Sequence, residues 1–419
     1  MTGYIQRDRY LRQLISRKDN GEVKIITGIR RSGKSWLLKK LYCDWLIGQG
    51  VPADHIVAIS FDEQDMLLET DLTDPVQLRH CLRDRISDDG HYYVFLDEIQ
   101  EVPGFERIVN GLNARDNIDV YITGSNSRFL SNDINTLFRG RGDEVRVYPL
   151  TFSEFCSGRS EPQNVLWKEY YTYGGMPGLR VHRTPEEKIS YLTRLWNKTY
   201  LDDVIERNRI KSRQALEGVV NLLCSSVGSL TNPNKISDSL KSIARLSVSD
   251  DTVRSYLDAL ENAFLFRGAS RYNIKGKRYF ENIRKYYVSD IGLRNVRMNF
   301  RQQDLPHIME NIVFNELLAR GWCVDVGIVE SRESENGRQR FIQREVDFIA
   351  TNGMDKVYVQ SAFAVPDEAK REQETASLRK IGDSFRKIVI VGSDIAPYTD
   401  DYGISWLGLF DFLCDEKAF

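Results

Sequence analysis

The segment Gly28-Ile29-Arg30-Arg31-Ser32-Gly33-Lys34-Ser35 constrains this chain more than any other part of it. It follows an apolar run, VKIIT at 23–27, and precedes a stretch that puts Leu37, Leu38, Leu41 and Trp45 on one face of a helix. A strand, a turn spelling Gly-x4-Gly-Lys-Ser and a helix form a cradle for an anion. The glycines let successive backbone N–H groups curl inward, and the helix N-terminus adds a favourable dipole. A phosphate chain suits that cradle, with Lys34 at the β- and γ-phosphates and Ser35 at a Mg²⁺ ion. The expected ATP-binding set is Gly28, Arg31, Ser32, Gly33, Lys34, Ser35 and Trp36.

Further strand-like runs follow at HIVAISF (55–61), YYVFLD (92–97), VYIT (120–123) and EVRVYPL (144–150), separated by helix-length segments. That alternation argues for a parallel sheet covered on both faces, one α/β domain over residues 1–155. The run YYVFLD ends in Asp97-Glu98, where Asp97 would hold the metal and Glu98 would act as general base toward water. A solvated acidic turn is the plain alternative. The run VYIT ends in Gly124-Ser125-Asn126-Ser127, and a polar side chain there can meet a γ-phosphate, Asn126 first and Ser125 second. Arg139 and Arg141 stand before the fifth strand, where an arginine can neutralise transition-state charge in a neighbouring subunit of a homo-oligomer.

With 419 residues the chain exceeds one ordinary core, and 41% hydrophobic with 28% charged residues places it among folded globular proteins. Its six cysteines show no CxxC pair and no zinc spacing, which suits a reducing cytoplasm. No apolar run approaches a membrane span, and the charged N-terminus does not read as an export signal. The net charge of −2 exerts no global pull on nucleic acid, yet residues 205–285 hold 15 Lys and Arg against 8 Asp and Glu.

Beyond Thr151 the pattern turns aromatic and helical, and residues 156–213 are expected to form a lid or connector broken by Gly174-Gly175-Met176-Pro177-Gly178. Residues 214–290 read as three helices, the third opening at Ser249, followed by a hairpin through Asn273-Ile274-Lys275-Gly276. This is a winged-helix pattern. Residues 300–419 read as a second α/β unit with a helix near 307–320 and four strands.

The phrases GIRRSGKS, FLDEIQ, TGSNS, RGR and PLTFSEF, with YGGMPGL, YLDDVIERNRI, YYVSDIGLRN and ENIVFNELLARG, resemble AAA-type ATPases that carry a C-terminal DUF4143 domain. The resemblance spans nearly the whole chain. It implies an α/β P-loop NTPase with an additional strand in its sheet, a winged helix, and a tail similar to the PD-(D/E)xK nuclease fold. Such nucleases use a helix glutamate, a strand aspartate and a following E-x-K. Glu316 or Glu310 and Asp347 fit the first two places, but the third reads Gln360-Ser361-Ala362. Alanine cannot replace the lysine, so a degenerate domain that binds or packs is expected, unless Lys356 or Lys370 steps in.

A winged helix suggests duplex DNA as a partner, and Arg267, Arg271, Lys275, Lys277 and Arg278 on the hairpin suit phosphate contacts. Against that, the third helix begins Ser249-Asp250-Asp251, acids that are ordinary dipole partners in a helix touching no DNA. The sequence thus points to a cytoplasmic, Mg²⁺-dependent ATPase acting on a partner, with DNA one candidate. The alternatives are a slow nucleotide-gated switch that binds DNA or protein, and a metal-dependent nuclease.

Overall fold

The computed structural model describes residues 5–61, 71–125, 138, 140, 142–335 and 338–419. They fall into two compact units, one of residues 1–149 with 262–264 and one of residues 150–261 with 265–419.

The first unit begins with helix α1 (Asp8–Arg17) and strand β1 (Val23–Thr27). Helix α2 follows the glycine-bearing turn as Lys34–Trp36, a wider π-helical stretch Leu37–Tyr42, and Cys43–Gly48. Then come β2 (Ile56–Ser60), α3 (Pro75–Arg85), β3 (Tyr92–Asp97), α4 (Phe105–Asn113), β4 (Ile118–Gly124) and β5 (Gly142–Arg146). All five strands run parallel in the order β2-β3-β4-β1-β5. Strand β4 therefore lies between β1 and β3, the additional strand expected from the sequence.

Side chains alternate across such a sheet, so each strand feeds two cores. Ile25, Ile59, Val94, Leu96 and Ile122 pack on one face with Leu78 and Leu82 of α3 and Ile108 and Val109 of α4. Ile26, Phe95, Tyr121 and Val145 pack on the other with Tyr10 and Leu14 of α1 and Leu37, Leu38 and Leu41 of α2. Two covered faces leave the strand ends as the places where polar side chains can gather.

The second unit opens with α5 (Phe152–Cys156), α6 (Gln163–Tyr173) and a long helix α7, made of Pro185–Arg194, a π-helical Leu195–Leu201 and Asp202–Asn208. Next are α8 (Arg213–Ser225), β6 (Leu230–Thr231), α9 (Pro233–Ile243), α10 (Asp250–Asn262), β7 (Phe266–Asn273), β8 (Arg278–Val288) and α11 (Ile291–Arg297). The chain continues through α12 (Leu305–Ala319), β9 (Cys323–Glu335), β10 (Arg338–Asn352), β11 (Asp355–Ala362), α13 (Glu368–Arg379) and β12 (Arg386–Val391). It closes with β13 (Tyr398–Thr399), β14 (Ser405–Gly408) and α14 (Leu409–Cys414).

One nine-stranded sheet, β13-β14-β12-β11-β10-β9-β7-β8-β6, runs through this unit. The three-helix segment contributes β6, β8 and β7, and β7 pairs in parallel with β9 at Arg271–Val326 through Asn273–Ile328. The hairpin and the C-terminal strands thus belong to one sheet. The two short strands β13 and β14 and the helix after them carried no signal in the sequence, because two to six residues are too few to show a period.

Two of the phrases quoted from this half meet in space. Asp290 caps α11, accepting from Gly292 N at 2.9 Å and Leu293 N at 3.2 Å, and also accepts from Gly175 N at 2.7 Å. Gly174 has φ 81, and a Cβ there would lie 2.1 Å from Asp290 Oδ1. Asn295 Nδ2 donates to the carbonyls of Tyr171 and Thr172 at 2.8 and 3.0 Å. The phrases YGGMPGL and SDIGLRN are two halves of one buried junction.

Candidate functional site

The carboxyl ends of β1, β3 and β4 converge, which is where open parallel sheets place their ligands. Gly28 leaves β1 with φ 138, and a Cβ there would sit 2.1 Å from the Val147 carbonyl oxygen, so the turn needs glycine. Arg31 and Gly33 follow with φ 66 and 96. Arg31 is exposed, and Trp36 at the start of α2 is 48% exposed. The Ser32 side chain is buried, and its Oγ has no hydrogen-bond partner among the described residues.

Lys34 is 3% exposed and donates to the carbonyls of Gly28 and Ile29 at 3.1 and 3.3 Å. Its Nζ lies 3.5 Å from Glu98 Oε1. Burial draws the ammonium below its ordinary pKa, against the opposing pull of Glu98 and Asp97.

Asp97 ends β3 and gathers four partners. Ser35 Oγ donates to Oδ1 at 3.0 Å and Thr123 Oγ1 to the same oxygen at 2.6 Å. Ser60 Oγ donates to Oδ2 at 3.1 Å, and Lys39 Nζ lies 3.1 Å from it. Ser60, Thr123 and Lys39 were missed in the sequence. The single available signal was that Ser60 and Thr123 are polar residues at the tips of apolar strands.

Glu98 takes a left-handed backbone, φ 57, and its N–H donates to Thr123 Oγ1 at 2.9 Å. Strained backbone of this kind survives where neighbours hold it, and it concentrates at functional sites. The carboxylate accepts from Ser125 Oγ at 2.9 Å and from Gln100. Burial pushes this carboxyl up, but the Lys34 charge and the Gln100 and Ser125 hydrogen bonds outweigh it and hold Glu98 below the usual range. Asn126, Arg139 and Arg141 lie outside the described residues.

One residue far from these motifs also reaches the turn. Arg7, 3% exposed, donates from Nη1 to the Ser32 carbonyl at 3.0 Å and from Nη2 to the Tyr148 carbonyl at 2.7 Å. Its guanidinium lies 4.6 Å over the Tyr10 ring.

In the second unit, Glu310 rather than Glu316 shares the surroundings of Asp347. Glu316 pairs with Arg320 at 2.8 Å. Glu310 meets Lys285 Nζ at 2.9 Å and accepts from Tyr287 Oη at 2.6 Å, and Lys285 also lies 2.6 Å from Glu345. Burial and the Glu310 charge push the Asp347 carboxyl far up, against the pull of Lys285. Asp347 Oδ2 accepts from Ser361 N at 2.8 Å. Lys356 pairs with Asp383 at 3.3 Å and Lys370 with Glu374 at 2.7 Å, so the lysine near Asp347 is Lys285 from β8. Among the described residues no group of three or more His, Cys, Asp or Glu is placed to hold a metal ion.

On the hairpin, Arg267, Lys275, Lys277 and Arg278 are exposed, while the Arg271 guanidinium lies 5.0 Å over the Phe280 ring. The outer face of α10 exposes Asp251, Arg254 and Asp258.

Parallel strand order, glycine-bearing turn and paired acids together define an AAA-type P-loop protein. Residues 20–156 match the AAA domain family AAA_14, and residues 164–304 match a domain of unknown function, DUF8612. The second match corrects the expected DUF4143 domain. The chain is 38% identical over 415 residues to an uncharacterized protein of Haemophilus influenzae, covering 98% of each. It is 26% identical over 399 residues to an uncharacterized protein of Methanocaldococcus jannaschii, covering 91% of this chain and 83% of that one. The chain belongs to the family of AAA-domain proteins that includes the Haemophilus protein. A solved structure of the Aeropyrum pernix Orc1 protein in complex with DNA aligns at 13% identity and a TM-score of 0.31, covering 71% of this chain and 94% of that chain. No helix among the described residues is long and apolar enough to cross a membrane.

Proposed function

We propose that the chain is a Mg²⁺-dependent ATPase whose nucleotide state acts on a partner. The observation that carries this reading is the 3.0 Å approach of Ser35 to Asp97 beside the Lys34 and Glu98 pair. The donor set fits the ligands. A hydroxyl and a carboxylate side by side suit a hard cation, and a buried ammonium with the unpartnered Ser32 hydroxyl suits phosphate oxygens. Mg²⁺ and ATP would supply the activated phosphoryl group and the charge that spreads in its transfer. Lys34 would exchange its loop carbonyls for phosphate, Ser35 and Asp97 would orient the metal, and Glu98 would accept the proton of the attacking water through its unshared lone pairs.

Steady-state ATP hydrolysis tests the reading. Lys34→Ala should lower turnover by roughly 10²–10³-fold, and Glu98→Gln should bind ATP yet fail to turn over. An alanine variant with normal turnover would overturn the assignment.

A slow nucleotide-gated switch has its own support. Glu98 is already engaged by Lys34, Ser125 and Gln100, contacts that stabilise the carboxylate and suit slow turnover. A single-turnover burst followed by a much slower steady state would favour the switch.

For the second unit, the order helix, strand, two helices and two strands, with sheet order β6-β8-β7, supports a winged-helix-like segment. The succession α12-β9-β10-β11-α13-β12 supports a nuclease-like one. The buried Lys285 cluster favours a domain that no longer cuts. Its basic hairpin suits phosphate neutralisation on DNA, which salt-dependent duplex binding lost on Lys275→Glu with Lys277→Glu would support. An arginine finger from Arg139 or Arg141 in a homo-oligomer, and a cytoplasmic location, belong to the same proposal.

A further inference from the structure

In the first unit, α3 and α4 frame a groove of about 580 Å³ that plays no part in the nucleotide chemistry. Its floor is apolar: Leu82 and Ile86 come from α3 and its end, Ile108 and Leu112 from α4. Its walls carry four guanidinium groups. Arg79 and Arg83 stand one helical turn apart on α3, and Arg107 and Arg115 stand two turns apart along α4 and its end. Residues at i and i+4 share a helix face, so Arg79 and Arg83 form a ladder along one wall, while Arg107 and Arg115 bracket the other.

These arginines are exposed, and among the described residues no acidic side chain lines the groove. Among the described residues Arg83 meets His80, and no carboxylate pairs with any of the four. Like charges one turn apart on a helix repel, so the Arg79 and Arg83 pair costs a little stability. A multiply anionic ligand would turn that cost into attraction, because guanidinium groups bind carboxylates bidentately.

The floor decides which anion. A nucleic-acid backbone offers phosphates to the arginines and nothing apolar to Leu82, Ile108 and Leu112. An amphipathic helix offers both, carboxylates at i, i+4 facing the arginines and apolar side chains facing the floor. Gly111, midway between Arg107 and Arg115, is exposed, and a Cβ there would meet nothing within 4 Å. That gap in the α4 wall lets a partner backbone come close. We propose that the α3–α4 groove is the docking site for an acidic amphipathic helix of a partner protein.

Fluorescence anisotropy with the full chain tests this. The probe is a 16-residue helical peptide with leucines at i, i+3, i+4 and i+7 flanked by glutamates. A peptide with every Glu replaced by Gln and a 16-base-pair duplex DNA form the other arms. The proposal expects saturable, salt-sensitive binding of the Glu peptide, weakened more than tenfold by the Gln peptide and more than tenfold by Arg83→Glu with Arg107→Glu. Gly111→Leu should weaken it similarly by filling the gap. This exposed helical position tolerates a side chain, so unchanged circular dichroism and melting separate docking from folding. Equal binding of both peptides, or no saturable binding of either, overturns the proposal. DNA binding lost in the arginine variant while the Glu peptide does not bind also overturns it and reassigns the groove to nucleic acid.

Discussion

The Ser125 hydroxyl donates to Glu98 Oε2 at 2.9 Å, so the tip of β4 holds the acid that follows β3. A hydrogen bond to a charged group contributes about 1.5–3 kcal/mol. Ser125→Ala should therefore lower ATP turnover by roughly tenfold with nucleotide affinity nearly unchanged. This bond is one of the contacts holding Glu98 below the usual carboxyl range, so the acid limb of the pH–rate profile should also move to higher pH in the variant. An unchanged profile would mean that Ser125 does not tune Glu98.

Arg7 joins the phosphate-binding turn to the segment after β5 through two carbonyls. Arg7→Ala should lower the melting temperature and weaken ATP binding several-fold, because the Ser32 carbonyl loses its anchor. Arg7→Lys should not restore either, since one ammonium cannot reproduce the fork of a guanidinium. Calorimetry of melting and of nucleotide binding checks both.

The buried Asp290 carboxyl is pushed up to about 6 by burial, which prevails over the hydrogen bonds from Gly175, Leu293 and Gly292. Its ordinary unfolded value is 3.8. Between these values the folded state binds more protons than the unfolded state, so this group's contribution to stability falls as pH rises from about 4 to 6. The difference corresponds to roughly 3 kcal/mol at most. Urea melts across that range should show a shallower pH dependence for Asp290→Asn than for the parent chain.

Lys285 is the buried cation shared by Glu310 and Glu345, close to Asp347. Replacing it by methionine leaves buried acids uncompensated, which should destabilise the fold by about 3–5 kcal/mol. Lys285→Met combined with Glu310→Gln should recover part of the loss. Additive losses in the double variant would show that the two residues do not act as a pair.

Legibility differed by site. The turn at 28–35 was readable because its chemistry is written in eight consecutive residues between a strand and a helix. Asp97 was readable because the strand before it is uniformly buried, YYVFLD, so a terminal acid stands out. The β5 boundary was shifted, running Gly142–Arg146 rather than 144–150, because the apolar residues continue into the segment that carries Tyr148. The choice between Glu316 and Glu310 stayed open in the sequence, since both lie on α12 and only the strand packed against each decides its partner.

The sequence by itself determined the parallel α/β class of the first unit, the phosphate-binding turn and the acidic strand tip. Those features are written in periodicities and turn chemistry among residues close along the chain. Tertiary structure alone decided that Ser60 and Thr123 meet Asp97, that Arg7 reaches Ser32 and that Lys285 arrives beside Glu310. It also brought two arginine-bearing helices from either side of β3 together. Each depends on strand order and helix packing, and a long-range partner leaves no period or spacing in the residues that precede or follow it.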